Sequence, residues 1–189
     1  SLPVIHRFVE EPRRVDGSRS IRTSIFYLGE LYDNVLHRIR GGTARSWPKK
    51  SYKLEFNDDH QFVLNPAAPR VDEVDLNTTY TDKSYLRARL TSDFLLDAGL
   101  PSPETYHVRT HQNGEFFSIA FMVEQPDRDF LRRHGMDPEG SLYKAGSGST
   151  YTPRSDFAFE KKTRDDEDKS DLKSLLDGLQ LSGVELEHF

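Results

Sequence analysis

The sequence predicts an α+β fold, a mostly antiparallel sheet with a few packed helices. Three observations carry that prediction. Short runs rich in β-branched and aromatic residues recur between Ile21 and Leu76. An Asn-Gly dipeptide joins two further β-rich runs, the strongest short hairpin signal. Helical stripes occur singly and do not alternate with strands, which argues against a parallel βαβ sheet.

The elements follow in order. Residues 1–20 are polar and arginine-rich with little periodicity, and read as an extended arm, leaving 21–189 as one domain. Ile21–Leu28 and Tyr32–Arg40 read as a strand pair, followed by a glycine turn at Gly41-Gly42-Thr43. Lys50–Phe56 alternates cleanly: Tyr52, Leu54 and Phe56 against Ser51, Lys53 and Glu55. Asn57-Asp58-Asp59 is a turn, Gln61–Leu64 is a short run able to pair back, and Val71–Leu76 is another strand. Ser84–Ala98 predicts a helix with Leu86, Leu90, Phe94 and Ala98 on one inward stripe, Thr81 and Asp82 as caps, and Gly99 and Pro101 as its stop. Tyr106–Thr110 and Glu115–Glu124 flank the Asn113-Gly114 turn. Arg128–His134 is a short helix ending at Gly135, and Ser141–Ala145 a strand. Gly146-Ser147-Gly148-Ser149 reads as a mobile loop. Asp168–Leu181 is a second amphipathic helix, with Leu172, Leu175, Leu176 and Leu179 inward and Gly183 beyond its end.

Composition narrows the function classes. With 35% hydrophobic and 30% charged residues over 189 positions, no stretch approaches a membrane-spanning helix. Twelve Phe and eight Tyr exceed what a disordered chain carries. The absence of cysteine removes disulfides, thiolate metal sites and cysteine nucleophiles together. A net charge of -5 argues against general nucleic-acid binding. The start, Ser1-Leu2-Pro3-Val4, shows no signal peptide. Both a cytoplasmic protein and a trimmed one fit that start.

Charge is unevenly placed. Between Asn34 and Leu54 there is no acidic residue, but Arg38, Arg40, Arg45, Lys49, Lys50 and Lys53 all occur. The paired glycines Gly41 and Gly42 let backbone amides turn toward an anion, and flanking cations supply charge-assisted bonds to phosphate oxygens. Strand parity places Lys50 on the face of Tyr52, Leu54 and Phe56, where a lysine is costly unless an anion meets it. The simpler alternative has Lys50 reaching solvent at the strand start beside Pro48. The spacing is not that of a Walker motif. Asp82 and Ser84 before a helix read as caps, and Arg87 in the first turn opposes the helix dipole, a setting that favours an acidic or anionic partner. Glu124, before Gln125-Pro126, reads either as a hinge contact to a nucleotide or as a solvated strand end. His107 and His111 fall in a strand, where their spacing does not converge on a metal. Asp165, Asp166, Glu167 and Asp168 lack the glycine and spacing of a calcium loop.

These segments together resemble the CotH family, atypical protein kinases first associated with bacterial spore coats. The matching pieces run in order. Arg38-Ile39-Arg40-Gly41 with Pro48-Lys49-Lys50-Ser51-Tyr52 resembles its Arg-Gly turn and Pro-Lys-Lys strand. Asp82-Lys83-Ser84-Tyr85-Leu86-Arg87 resembles its Asp-x-Ser-x-x-Arg helix start. Gly99-Leu100-Pro101-Ser102-Pro103, the Asn113-Gly114 hairpin ending in Glu124, Leu142-Tyr143-Lys144 and Phe159-Glu160-Lys161 continue the likeness. The resemblance implies a protein-kinase-like N-lobe with the start of a C-lobe, and ATP with Mg2+ or Mn2+ as phosphoryl donor to protein Ser/Thr. It implies nucleotide contact at Arg40, Gly41, Gly42, Thr43, Lys50 and Glu124, with support from Arg38, Asp82 and Arg87. The family's catalytic and metal-binding aspartates lie in later Asn/His-Asn-Tyr and Pro-Trp-Asp segments, and neither occurs here. Catalytic residues are therefore not assigned, and the chain alone is expected to turn over little. Ser118 departs from the family, which has glycine at that point. The phosphate acceptor stays open, as do a cytoplasmic, coat or exported location. The alternative is a non-catalytic binding or structural coat or surface module that uses the basic loop for anionic ligands.

Overall fold

The computed structural model describes residues 1–12, 15, 19–146 and 159–180. Two compact units divide the chain, 1–125 and 126–189. The first holds strands β1 (Val4–Phe8), β2 (Ile21–Tyr27), β3 (Glu30–Arg40), β4 (Ser51–Glu55), β5 (Glu73–Asn77), β6 (Thr105–Gln112) and β7 (Glu115–Glu124), with helix α1 (Arg87–Asp97) between β5 and β6. The strands close into a barrel in the order β1-β2-β3-β4-β5-β7-β6. All neighbours are antiparallel except the closing pair, where β1 runs parallel to β6 with Ile5 opposite Thr110.

That closure corrects the expected fold class. The chain is mostly β, with a closed seven-stranded barrel and a few short helices, and is not a kinase-like α+β N-lobe. The segment read as an arm supplies β1, the strand that joins β2 to β6. Nothing local in Val4–Phe8 announces a partner over a hundred residues away.

Alternation fills the barrel. Ile5, Ile25, Val35, Leu54, Val74, Leu76, Val108, Ala120 and Met122 point inward and are buried. One end is plugged by aromatics: Phe62 packs on Phe56 (4.6 Å between centroids), Tyr27 (5.1 Å) and Tyr32 (5.2 Å). A backbone bridge from Phe62 to Val71 holds that plug in place, so the run at Gln61–Leu64 pairs back only through one residue. The β6–β7 hairpin turns at Asn113 (φ 53°) and Gly114 (φ 90°), the left-handed pair that an Asn-Gly hairpin requires. The Asn113 side chain also clasps the barrel seam, accepting from Val9 N at 2.8 Å and donating to Val9 O at 2.9 Å.

The expected helix forms, but its buried face is the other one. Leu86, Leu90 and Phe94 are exposed, Phe94 by 71%, and Ser92 is buried instead. The docking of α1 is polar. Ser92 Oγ donates to Pro103 O at 2.8 Å and accepts from Ser102 Oγ at 3.0 Å, while Arg89 bonds Thr105 O.

The second unit contains α2 (Arg128–Arg133), a two-stranded antiparallel sheet of β8 (Tyr143–Ala145) and β9 (Phe159–Lys161), and α3 (Ser170–Gly178). Asp127 caps α2 through Asp129 N and Phe130 N. Of the four leucines expected to face inward from α3, Leu172 is buried, while Leu175 and Leu179 are exposed. Among the described residues of this unit Lys161 is a buried cation, donating to Asp168 O at 2.7 Å beside Glu167 and Asp171. The loop at Ser147-Gly148-Ser149 and the stop at Gly183 lie outside the described residues.

Candidate functional site

Side chains that leave the barrel core on β3, β4 and β5 converge on its outer face. Alternation from the inward Leu54 sends Lys53 and Glu55 outward, and the β3–β4 register sets Arg38 opposite Lys53 and Arg40 opposite Ser51. Two cations directly opposite each other repel unless carboxylates intervene. Here they do. Lys53 Nζ lies 2.6 Å from Glu73 and 3.5 Å from Glu55, which is also 3.5 Å from Arg38. Arg40 Nη1 pairs with Asp75 at 2.5 Å and donates to Asn77 Oδ1 at 2.9 Å. Gln125 Nε2 also donates to Asp75, which is fully buried. Lys53 is only 13% exposed, so this row of cations is held in fixed directions and is not waving in solvent.

The glycine turn follows Arg40 directly. Gly41 has φ of 100°, and a Cβ there would meet the Ala44 Cβ at 3.0 Å, so both conformation and space call for glycine. Gly42 then opens a 3₁₀ turn over Thr43–Ser46, closed by Arg45 N to Gly42 O at 3.1 Å and Ser46 Oγ to Thr43 O at 2.8 Å. Arg38, Arg40, Gly41, Gly42 and Thr43 are therefore continuous on one edge of the barrel.

Of the other sequence candidates, Lys50 stays beside this turn, while Glu124, Asp82 and Arg87 bond elsewhere. Lys50 lies just before β4. It lines a pocket at the barrel mouth with Tyr52, and its amine donates to Arg45 O at 2.6 Å in an exposed setting. Glu124 is buried and clamps strand ends, accepting from Glu104 N at 3.0 Å. Asp82 organises the turn before α1, accepting from Ser84 N (3.1 Å), Ser84 Oγ (2.6 Å) and Arg87 N (3.0 Å). Those bonds, Ser84's first, hold its carboxyl below the usual range. Arg87 is 82% exposed, with its Nε 3.7 Å from Asp82. Lys53, Glu73, Asp75 and Gln125 are the members the sequence reading did not assign. The visible signal for them is a carboxylate, Asp75, in the middle of the apolar run Val74–Leu76.

A divalent metal fits this edge poorly. Among the described residues no three acidic or imidazole side chains gather at metal-binding spacing. No described helix is long and apolar enough to cross a membrane.

Comparison with known proteins adds two findings. Residues 37–185 match the family model described as CotH kinase protein. The chain is 25% identical over 147 residues to "Inner spore coat protein H" of Bacillus subtilis (strain 168), covering 72% of this chain and 39% of that protein. The chain thus spans well under half the length of that curated relative.

Proposed function

The chain belongs to the CotH kinase protein family, and on that premise we propose that it supplies the nucleotide-binding part of a phosphotransferase that moves a phosphoryl group from ATP to protein hydroxyls. The observation that carries the reading is the row of Arg38, Arg40 and Lys53 ending in the Gly41-Gly42 turn. Phosphoryl transfer asks the protein mainly for positioning and charge neutralisation. Cations already fixed by Glu73, Asp75 and Asn77 need little reorganisation when a triphosphate arrives. Arg40 meets phosphate oxygens as a planar fork and Lys53 as a point charge. Thr43 and the loop amides complete the edge. Magnesium or manganese would travel with the nucleotide, and no step is assigned to residues of this chain through the metal. The relative named for the inner spore coat suggests that layer as the place of action.

Ligand linkage tests the reading. Saturating ATP with magnesium should raise the thermal midpoint of the wild-type chain, because a ligand at about a hundred times its Kd adds roughly 2.7 kcal/mol. Arg40→Ala and Lys50→Ala should each abolish most of that rise, and Lys53→Met should reduce it. A wild-type midpoint indifferent to ATP, or a rise that survives Arg40→Ala, refutes the assignment.

A further inference from the structure

Between α1 and the barrel's outer face lies a cavity of about 420 Å³, a volume within the range of small-molecule sites. Strand register builds its floor. The inward Ala120 and Met122 send Phe121 and Val123 outward, and the neighbouring strands set Asn77 opposite Phe121 and Thr105 opposite Val123. Ala88 and Ser92 of α1 close the cavity from above, with Pro103 beside them. At Ala88 the helix presents only a methyl group, which leaves the space open.

The polar groups along the wall fall into two sets. Ser92 Oγ donates to Pro103 O at 2.8 Å, Ser102 Oγ donates to Ser92 Oγ at 3.0 Å, and Thr91 Oγ1 donates to Arg87 O at 2.9 Å. These hydroxyls are spent inside the protein. Thr105 and Asn77 keep donors in reserve. Thr105 is 6% exposed, and its Oγ1 is enclosed with no hydrogen-bond partner among the described residues. Asn77 Oδ1 accepts from Arg40, while its Nδ2 makes no hydrogen bond among the described residues. An enclosed hydroxyl without a partner lowers stability, and a turn about χ1 brings Thr105 Oγ1 to the cavity at the loss of no bond. Charge is scarce here. Among the described residues no acidic side chain lines the cavity, and Arg87 at its rim is 82% exposed with Nε 3.7 Å from Asp82.

We infer that this cavity binds a small, uncharged, planar ligand that carries a carbonyl oxygen. Phe121, Val123 and Pro103 offer apolar surface to a ring. Thr105 Oγ1 and Asn77 Nδ2 offer hydrogens to an acceptor. A charged ligand gains little, because Arg87 already stands in solvent beside Asp82. The site differs in kind from the nucleotide edge, where paired cations are fixed for phosphate.

The test titrates benzamide into the whole chain, read by ligand-detected NMR. Wild type should bind saturably. Ala88→Leu fills the cavity and should abolish binding without lowering the thermal midpoint of the free protein. Thr105→Val replaces the hydroxyl by a methyl of similar size. It should weaken binding about fivefold or more while raising the midpoint of the free protein by about 1–3 °C. A purely structural threonine would not move those two readouts in opposite directions. Benzoate should bind more weakly than benzamide, and saturating ATP with magnesium should leave benzamide affinity within about twofold. Absence of saturable binding overturns the inference, as does binding that survives Ala88→Leu. A midpoint that falls with Thr105→Val shows a hydroxyl already in use. Benzoate binding tighter than benzamide shows a charged site, and displacement by ATP shows the nucleobase end of the nucleotide edge. Each of these refutes the assignment.

Discussion

Lowering the pH should destabilise the barrel through His37. This imidazole lies inside β3 with no exposed surface, 3.1 Å from the Arg7 guanidinium. Burial first, and the Arg7 charge second, push its pKa from the ordinary 6.5 down to about 3. The folded protein therefore keeps His37 neutral where the unfolded chain protonates it. Stability from this source is intact above pH 6.5 and declines as pH falls toward 3. Between about pH 6.5 and about pH 4.5 the shortfall is two pH units at about 1.4 kcal/mol each, roughly 3 kcal/mol. Carboxylates whose pKa folding lowers, such as Glu30 paired with Arg70, lose their contribution chiefly below their ordinary 4.5, outside this window. Urea unfolding followed by the fluorescence of Trp47, the single tryptophan, measures it at about pH 7 and about pH 4.5. His37→Gln keeps an acceptor for Arg7 and removes the titration, so its stability should change by less than about 1 kcal/mol over the same window. A wild type with constant stability, or a variant that declines equally, refutes the reasoning.

Three further outcomes follow from the geometry. Asp82→Ala removes three acceptor contacts in the turn before α1 and should lower the urea midpoint slightly. Asn113→Ala loses both bonds to Val9 and leaves a non-glycine residue without its side-chain support at φ 53°, for about 2 kcal/mol and a lower thermal midpoint. Phe94→Ser on the exposed stripe of α1 should change stability by less than about 0.5 kcal/mol, whereas Leu54→Ala in the barrel core should cost roughly 2–5 kcal/mol.

Strands with local signals were legible in the sequence. The alternation of Tyr52, Leu54 and Phe56 locates β4, and Asn113-Gly114 locates the β6–β7 turn. Long-range closure was not, because the parallel pairing of β1 with β6 depends on backbone bonds that carry no residue signature. For α1, periodicity identified the helix and failed on its orientation. A stripe of Leu86, Leu90 and Phe94 marks an apolar face, but Ser92 and Arg89 found buried carbonyls and decided which side docks. At the site, the sequence found Arg38, Arg40 and the glycine turn, and left Lys53 unassigned. It did not find Glu73 and Asp75, which become partners of Lys53 and Arg40 only when β5 lies beside β4.

Barrel closure has a practical consequence for anyone expressing pieces of this protein. The family match starts at residue 37, within β3 and after both β1 and β2. A clone begun at that boundary would discard two staves and most of β3, and strip the ladder from β6. Bare strand margins of that kind recruit other chains. Such a fragment should collect in inclusion bodies, while one that begins before Val4 should stay dispersed.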